Sequence, residues 1–266
     1  ITATYKATHS ENVFDYKNKN KYGDVFHMNY YYDIEFHGSK CSVELSRYNE
    51  SKSKKLLISG PVGASREFLK KNNVINVNHN EFSIGLFNSG FESWNSMSSV
   101  ESHKKFLLLA LEICKNYKNT KIIFKSKNNF ELYKSNEATK KLAEKLLVYN
   151  NFTLADNTQL SVTVNKISDV IISMAFTTAG FEAMCMGKKS FYVDVLNIYK
   201  NSYFDNFQKL VSHSCAEALN NLEFWINIQQ KDVLSKYKEV YNEMGIEIAN
   251  QASEIMRNRI LDTIKN

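Results

Sequence analysis

This sequence has little proline, and its cysteines and histidines do not occur in closely spaced pairs. Its 266 residues include one proline, Pro61, and four cysteines, no two of which have the spacing of a metal or redox pair. The six histidines form no HxH or HxxxH pair, so we expect no metal site built from neighbouring ligands. Isolated thiols of this kind are typical of buried, reduced cysteines, and they predict a cytoplasmic protein.

Long apolar runs are missing as well. No segment approaches the roughly 20 apolar residues that a membrane-spanning helix needs. No signal peptide is visible, yet the sequence begins at Ile1 without a methionine, so we expect a piece of a longer protein.

The sequence also lacks a dense basic stripe. Its net charge of +6 comes from lysines scattered along the chain, with short clusters such as Lys52–Lys55 and Lys140–Lys145. A nucleic-acid-binding protein more often has clustered basic residues with aromatic residues between them, so we expect no nucleic-acid partner. A mildly basic surface fits an anionic ligand and an anionic membrane face equally well. A peripheral position on the cytoplasmic face of the inner membrane therefore stays open.

Between residues 78 and 228 short apolar segments alternate with amphipathic ones. This alternation predicts an α/β fold, namely a Rossmann-like parallel sheet with helices on both faces. The predicted strands cover residues 82–87, 121–124, 152–155, 170–172, 190–193 and 209–211. The predicted helices cover residues 98–117, with Ser98 as the cap, and 136–149, 158–166, 179–186 and 216–228.

The two ends of the chain have different patterns. Residues 1–77 are predicted to form a short mixed segment, with candidate strands at 25–32, 42–46 and 56–58, a loop at 49–55 and a helix at 64–71. Residues 229–266 are predicted to form a tail of one or two amphipathic helices. We expect the tail to pack on the core, although an amphipathic membrane helix is the alternative.

The most informative stretch is Ser168–Asp194. An apolar strand is followed by a short turn, by two threonines that can cap a helix, and by a helix that Gly187 is placed to end in the left-handed conformation. A second strand, Ser190–Val193, completes a βαβ unit. The free amides and positive dipole end of such a helix form an anion site. With Glu182 one turn further on as a partner for ribose hydroxyls, the unit predicts a nucleotide-sugar site.

Each candidate binding residue of this unit also has a structural alternative. Thr177, Thr178 and the amides of Ala179 and Gly180 can bind a phosphate, or they can simply cap the helix. Gly180 lacks a side chain, so that either a ligand or a neighbouring backbone can approach closely. Glu182 can contact a ribose or merely complement the helix dipole.

Further candidates follow the other predicted strands, because ligands of open parallel sheets sit beyond the carboxyl ends of the strands. Ser89 lies in the segment Asn88-Ser89-Gly90 after one strand. Lys125 and Lys127 bracket a serine after the next strand, where either lysine can reach a diphosphate or remain solvated. His9 and Glu11, in the sequence THSE, are a candidate catalytic pair, with a surface loop as the alternative.

The segment DVIISMAFTTAGFEAMCMGKKSFYVD resembles the donor-binding part of GT-B glycosyltransferases, in particular enzymes of bacterial surface and capsular polysaccharide biosynthesis. IGLFNSG and IIFKSK look like the first two strand-tip loops of the same C-terminal half. The resemblance implies that Glu182 contacts the ribose of the donor and that Thr177, Thr178 and Gly180 form its phosphate turn. Retaining members often have a second acid eight positions earlier, where this chain has Met174, so retention or inversion stays open.

The activity implied is metal-independent transfer of a sugar, or a sugar-like group, from a nucleotide-sugar donor to a glycan or lipid-linked glycan acceptor. No separate cofactor is implied. A GT-B enzyme has a full N-terminal domain on the acceptor side, and residues 1–77 are too short for one, so part of that domain is expected to be missing. Two alternatives stay open. They are a nucleotide-sugar 2-epimerase, and a non-catalytic nucleotide- or carbohydrate-binding scaffold module of a polysaccharide assembly complex.

Overall fold

The computed structural model describes residues 2–6, 14–15, 20–21, 31–48, 51–74, 81–91, 99–244 and 251–265. The strands in these ranges are β1 (Ala3–Lys6), β2 (Phe14–Asp15), β3 (Asn20–Lys21), β4 (Ile34–His37), β5 (Lys55–Ile58), β6 (Ser83–Phe87), β7 (Lys121–Lys125), β8 (Phe152–Leu154), β9 (Val170–Met174), β10 (Lys189–Val193) and β11 (Val211–Ser212). The α-helices are α1 (Lys40–Tyr48), α2 (Arg66–Lys71), α3 (Val100–Asn116), α4 (Glu131–Ser135), α5 (Glu137–Leu147), α6 (Ser161–Ile167), α7 (Thr178–Cys185), α8 (Cys215–Asn227), α9 (Gln230–Met244) and α10 (Ala252–Lys265). Short 3-10 helices cover Val62–Ala64 and Tyr203–Asn206.

The largest sheet has six parallel strands in the order β11-β10-β9-β6-β7-β8. From β6 the chain moves outward through β7 to β8, then returns to the other side of β6 and moves outward again through β9, β10 and β11. The strand order therefore reverses between β6 and β9, which pair directly with Ile84 opposite Val170. Ligands of doubly wound sheets bind at such a switch point.

Helices cover both faces of this sheet, as predicted. Successive residues of a strand point to opposite faces, and in β9 Ile171 belongs to one hydrophobic core while Val170 and Ile172 belong to the other. The larger core contains residues of α3, α5, α8 and α9, and the smaller one lies under α6 and the side of α7 that carries Ala179 and Ala183. The fold class predicted from the sequence is confirmed.

Residues 34–58 contribute to a second, smaller parallel sheet, in the order β1-β4-β5. The predicted strand at 42–46 is wrong, because these residues lie in α1. The short alternation of Val43 and Leu45 fits a strand, but the Ser39 hydroxyl accepts a hydrogen bond from the Ser42 N–H, as a helix cap does. Of the candidate strand at 25–32, residues 25–30 lie outside the described ranges, and Tyr31 and Tyr32 are not in a strand.

Most predicted boundaries in the large sheet shift by one to three residues. Ser99 caps α3, with its hydroxyl accepting from the Ser102 N–H, while Ser98 lies outside the described residues. Helix α6 begins at Ser161 rather than at Thr158, because the Asp156 carboxylate accepts from the Thr158 N–H at 2.7 Å and forms a turn instead. Gly187 ends α7 at a φ of 70°, in the left-handed conformation that was predicted.

The described residues of the C-terminal tail form two helices, α9 and α10, and the first of them packs on the core. Val233, Tyr237 and Val240 of α9 are buried, which confirms core packing for this part of the tail. Among the described residues, no helix has both the length and the apolarity needed to cross a membrane. The domain boundaries at residues 77 and 228 stay predictions.

Candidate functional site

The candidate site lies at the carboxyl ends of β6 and β9, where the strand order reverses. Ser89 follows β6, and its hydroxyl oxygen lies 3.9 Å from the sulfur of Met174, the last residue of β9. The turn Ala175–Thr177 follows Met174 and leads into α7. The structure thus brings two of the predicted loops together at the edge of the sheet where a ligand is expected.

The amino end of α7 has polar groups without partners. Thr177 is the cap residue in an extended conformation, but its hydroxyl makes no capping hydrogen bond. That hydroxyl oxygen is buried and has no partner among the residues that the structure describes. The amides of Thr178 and Ala179 have no intrahelical acceptor. The Gly180 N–H, which was predicted to bind a phosphate, instead donates to the Thr177 carbonyl at 3.1 Å. A buried hydroxyl, free amides and the positive end of the dipole together suit a phosphate.

Gly180 lets α7 lie close to the sheet. A Cβ at this position would lie 2.5 Å from Tyr192 Cε1 and 2.9 Å from Ser173 Oγ. Tyr192 and Ser173 lie on the strands beneath the helix. In the structure, therefore, two protein side chains make the close approach that was predicted at Gly180 for a ligand or a backbone. Any side chain here would push α7, with its cap, away from β9 and β10.

Glu182 is 9% exposed and lies between two other segments of the chain. Its Oε2 accepts a hydrogen bond from the Ser161 hydroxyl at 3.2 Å. On the other side it meets Gly63, where a Cβ would lie 1.8 Å from Glu182 Oε1. Burial raises the pKa of Glu182 to about 7, against the opposing effect of the Ser161 hydrogen bond. Ribose hydroxyls, as hydrogen-bond donors, would stabilise its charged form.

The two candidate lysines have different environments. Lys125 ends β7 and is buried, and its ammonium donates to the carbonyls of Asn157 at 3.1 Å and Ser126 at 3.3 Å. Burial lowers the pKa of Lys125. Its observed contacts therefore join the loops after β7 and β8. Lys127 is exposed, so its ammonium is the more accessible of the two to a ligand.

A charged cluster at the tips of β10 and β11 was not singled out from the sequence. His213 Nε2 lies 2.7 Å from Asp205 Oδ1, and His213 Nδ1 lies 3.3 Å from Asp194 Oδ2. These two carboxylates raise the pKa of His213 to about 10. The strand-tip rule would have found Asp194 and His213, because each directly follows a strand, but Asp205 reaches them only through the folded 3-10 helix.

A second polar cluster was missed in the small sheet. His37 Nδ1 lies 2.9 Å from the Ser42 hydroxyl, and His37 Nε2 lies 3.1 Å from Glu35 Oε1, off the hydrogen-bonding direction. Both side chains are fully buried, so the observed cluster joins β4 to α1 and is closed to solvent. The predicted catalytic pair, His9 and Glu11, lies outside the described residues.

Among residues 2–6, 14–15, 20–21, 31–48, 51–74, 81–91, 99–244 and 251–265, no group of three His, Cys, Asp or Glu side chains is placed to hold a metal ion.

The sequence of residues 44–222 matches the family described as "Polysaccharide biosynthesis PFTS motif protein". The matched region is well over half of the chain and includes the switch point. The chain belongs to this family. No curated protein matches the chain.

Solved structures resemble the PFTS-motif protein in fold. Wall teichoic acid polymerase TagF, in a variant soaked with CDPG, has 14% identity and a TM-score of 0.57 over 88% of this chain and 57% of its own. UDP-GlcNAc 2-epimerase from Neisseria meningitidis, bound to UDP-GlcNAc, has 18% identity and a TM-score of 0.53 over 86% and 62%. MnaA from S. aureus, bound to UDP, has 12% identity and a TM-score of 0.55 over 88% and 60%.

At these identities the likeness shows the fold alone, which resembles half of a GT-B protein. The chain spans about three fifths of the length of these structures.

Proposed function

We propose that this PFTS-motif protein is a GT-B-type glycosyltransferase of polysaccharide biosynthesis. It would move a sugar, or a sugar-like group, from a nucleotide donor to a surface glycan or a lipid-linked glycan. The observation that carries the proposal is the amino end of α7 at the switch point. There the buried Thr177 hydroxyl is unpartnered among the described residues, the Thr178 and Ala179 amides are free of intrahelical acceptors, and Glu182 follows about one helical turn later.

Each part of a nucleotide-sugar donor has a partner in this arrangement. The Thr177 hydroxyl and the amide of Thr178 would bind the diphosphate, and Glu182 would accept hydrogen bonds from the ribose. During transfer, negative charge grows on the leaving phosphate. Donors that are already oriented toward it lower the barrier without reorganising. Lys127 is the exposed lysine that can add a positive charge from the β7 loop.

The base that activates the acceptor hydroxyl is a separate part of the proposal. We keep His9 and Glu11 in this role, as predicted from the sequence, because a carboxylate–imidazole pair can take the proton of a hydroxyl. His9→Gln should leave nucleotide affinity unchanged and abolish transfer. Unchanged transfer would remove His9 from the mechanism without affecting the donor site.

An experiment with labelled donors separates the transferase from its rivals. The chain is incubated with UDP-N-acetylglucosamine, CDP-glycerol and GDP-, CMP- and dTDP-sugars, with and without an acceptor glycan. A transferase moves label to the glycan and releases nucleotide only when the acceptor is present. A 2-epimerase changes the sugar without any acceptor. If the chain binds nucleotide or glycan but neither reaction occurs, the transferase proposal fails and a scaffold is favoured.

A further inference from the structure

A buried polar network joins the loops after β6 and β7. Its members are Asn88, His103 and Tyr133, which are 4%, 0% and 1% exposed. The two ends of the network are backbone atoms of the strand-tip loops, the carbonyl of Gly90 and the amide of Lys127. The side chains between these ends come from the β6 tip and from α3 and α4, which pack behind the site.

The donor and the acceptor of each hydrogen bond in this network can be assigned from the backbone groups at its two ends. A carbonyl only accepts, so His103 Nε2 must donate to the Gly90 oxygen at 2.9 Å. Burial lowers the pKa of His103 to about 4, so the ring is neutral and its Nδ1 accepts from the Tyr133 hydroxyl. The Tyr133 oxygen in turn accepts from Asn88 Nδ2.

Asn88 completes the network at the β7 tip. Its Oδ1 accepts from the Lys127 N–H at 2.6 Å, while its Nδ2 also donates to the Ser126 hydroxyl at 3.1 Å. The ring of Phe91 packs edge-on against those of His103 and Tyr133, at centroid distances of 5.0 and 5.3 Å, and so covers the network. Each polar group therefore has a single arrangement that satisfies it, which specifies the positions of both loops.

We propose that His103 and Tyr133 are positioning residues for the ligand crevice at the switch point. They act through Asn88 and Gly90 and hold the β6 loop, including Ser89, against the end of β9. Apolar groups of the same shape can fill such a core with about the same stability. What the polar network adds is a fixed geometry for the Gly90 carbonyl and the Lys127 amide at the tips of β6 and β7. The inference rests on the proposed nucleotide site only for the identity of the ligand.

Tyr133→Phe tests the inference, with Tyr237→Phe as a matched control. Tyr237 is also fully buried, and its hydroxyl bonds the backbone of Lys188 and Ser190 at the opposite end of the sheet. Both variants lose one buried hydroxyl and should lower the melting temperature to a similar extent. Tyr133→Phe should also weaken the affinity for the nucleotide that the wild type binds by about three- to tenfold, as expected from the loss of one buried hydrogen bond. Tyr237→Phe should not.

His103 provides a rescue test. Gln at this position retains a donor for Gly90 and an acceptor for Tyr133, whereas Leu retains neither. His103→Gln should therefore keep most of the nucleotide affinity that His103→Leu loses. Equal affinities in the two variants, or equal effects of Tyr133→Phe and Tyr237→Phe on affinity, would overturn the inference.

Hydrogen exchange separates this inference from the proposed function. In Tyr133→Phe, and not in Tyr237→Phe, the amides of residues 88–90 and 126–128 should exchange faster than in the wild type, with no ligand present. Unchanged exchange would overturn the positioning role. If the wild type binds no nucleotide at all, the proposed function fails, but the exchange measurement still decides whether the network positions the loops.

Discussion

The Glu182 carboxyl group and Gly63 are in direct contact, although they belong to different parts of the fold. Gly63 lies in the 3-10 helix that follows the small sheet, and Glu182 lies on α7 of the large sheet. A Cβ on Gly63 would lie 1.8 Å from Glu182 Oε1. The N-terminal segment thus covers the carboxylate that is proposed to bind ribose, so the two parts of the chain meet at the candidate site.

Gly63→Ala should therefore impair ligand binding more than folding. The added methyl group meets the far end of a flexible side chain, so Glu182 can move away at a cost in stability of about 1 kcal/mol or less. Because the carboxylate leaves the place from which it is proposed to bind ribose, nucleotide affinity should fall at least about fivefold. Calorimetric titration and urea unfolding measure the two effects. A large loss of stability with unchanged affinity would show that the contact is purely structural.

Glu182→Gln should change how stability depends on pH. The folded-state pKa of about 7 lies above the ordinary value of 4.5, so between these values the folded state keeps a proton that the unfolded state has lost. Wild-type stability therefore falls as pH rises from 4.5 to 7, by on the order of 2–3 kcal/mol. A glutamine side chain does not ionise, so it adds no pH dependence of this kind. Relative to the wild type, the variant should gain stability from pH 4.5 to 8, as measured by urea unfolding. A constant difference would contradict the burial argument.

His213 should produce a pH dependence at higher values. Its folded-state pKa of about 10 is raised by Asp194 and Asp205 above the ordinary value of 6.5. The stabilisation is fully present below pH 6.5 and is lost as pH rises toward 10. His213→Gln should therefore be clearly less stable than the wild type at pH 6 and much closer to it at pH 9.5. If unfolding midpoints differ equally at both pH values, the two carboxylates do not raise the pKa of His213 in the folded protein.

Burial of the Thr177 hydroxyl should lower the free energy of unfolding of the free protein, because the hydroxyl has no partner among the described residues. Thr177→Val should stabilise the free protein by up to about 1 kcal/mol and weaken nucleotide binding. Ser173→Ala is the matched control, since the Ser173 hydroxyl is also buried and unpartnered there but lies beneath Gly180. This control should leave affinity unchanged. Equal affinities for the wild type and Thr177→Val would remove Thr177 from the phosphate site.

The sequence predicted those parts of the fold that depend on neighbouring residues. Apolar runs gave the strands of the large sheet, and small polar residues after β9 gave the turn into α7. The strand predicted at 42–46 failed because the alternation of Val43 and Leu45 is too short to separate a strand from a helix. The cap that decides the matter comes from Ser39, which precedes the pattern.

Only those parts of the candidate site whose residues lie close together in the sequence could be predicted. Thr177, Thr178 and Glu182 lie within one helical segment, so their spacing could be read directly. Contacts between distant segments, such as that of Gly63 with Glu182, depend on how the two sheets pack, and no pattern in the sequence records that. Lys125 shows the same limit, because its ammonium bonds the carbonyl of Asn157 on another loop.

The central claim is that a nucleotide binds at the amino end of α7, and a thermal-shift panel of CMP, CDP, UDP, GDP and dTDP tests it most directly. A nucleotide at about 100 times its dissociation constant stabilises the folded state by roughly 2.7 kcal/mol. We predict a selective rise in melting temperature with one base. The rise should be retained in Glu144→Gln, an exposed control on α5, and lost in Thr178→Val and Glu182→Ala. A flat panel, or equal shifts in all four proteins, would contradict the account.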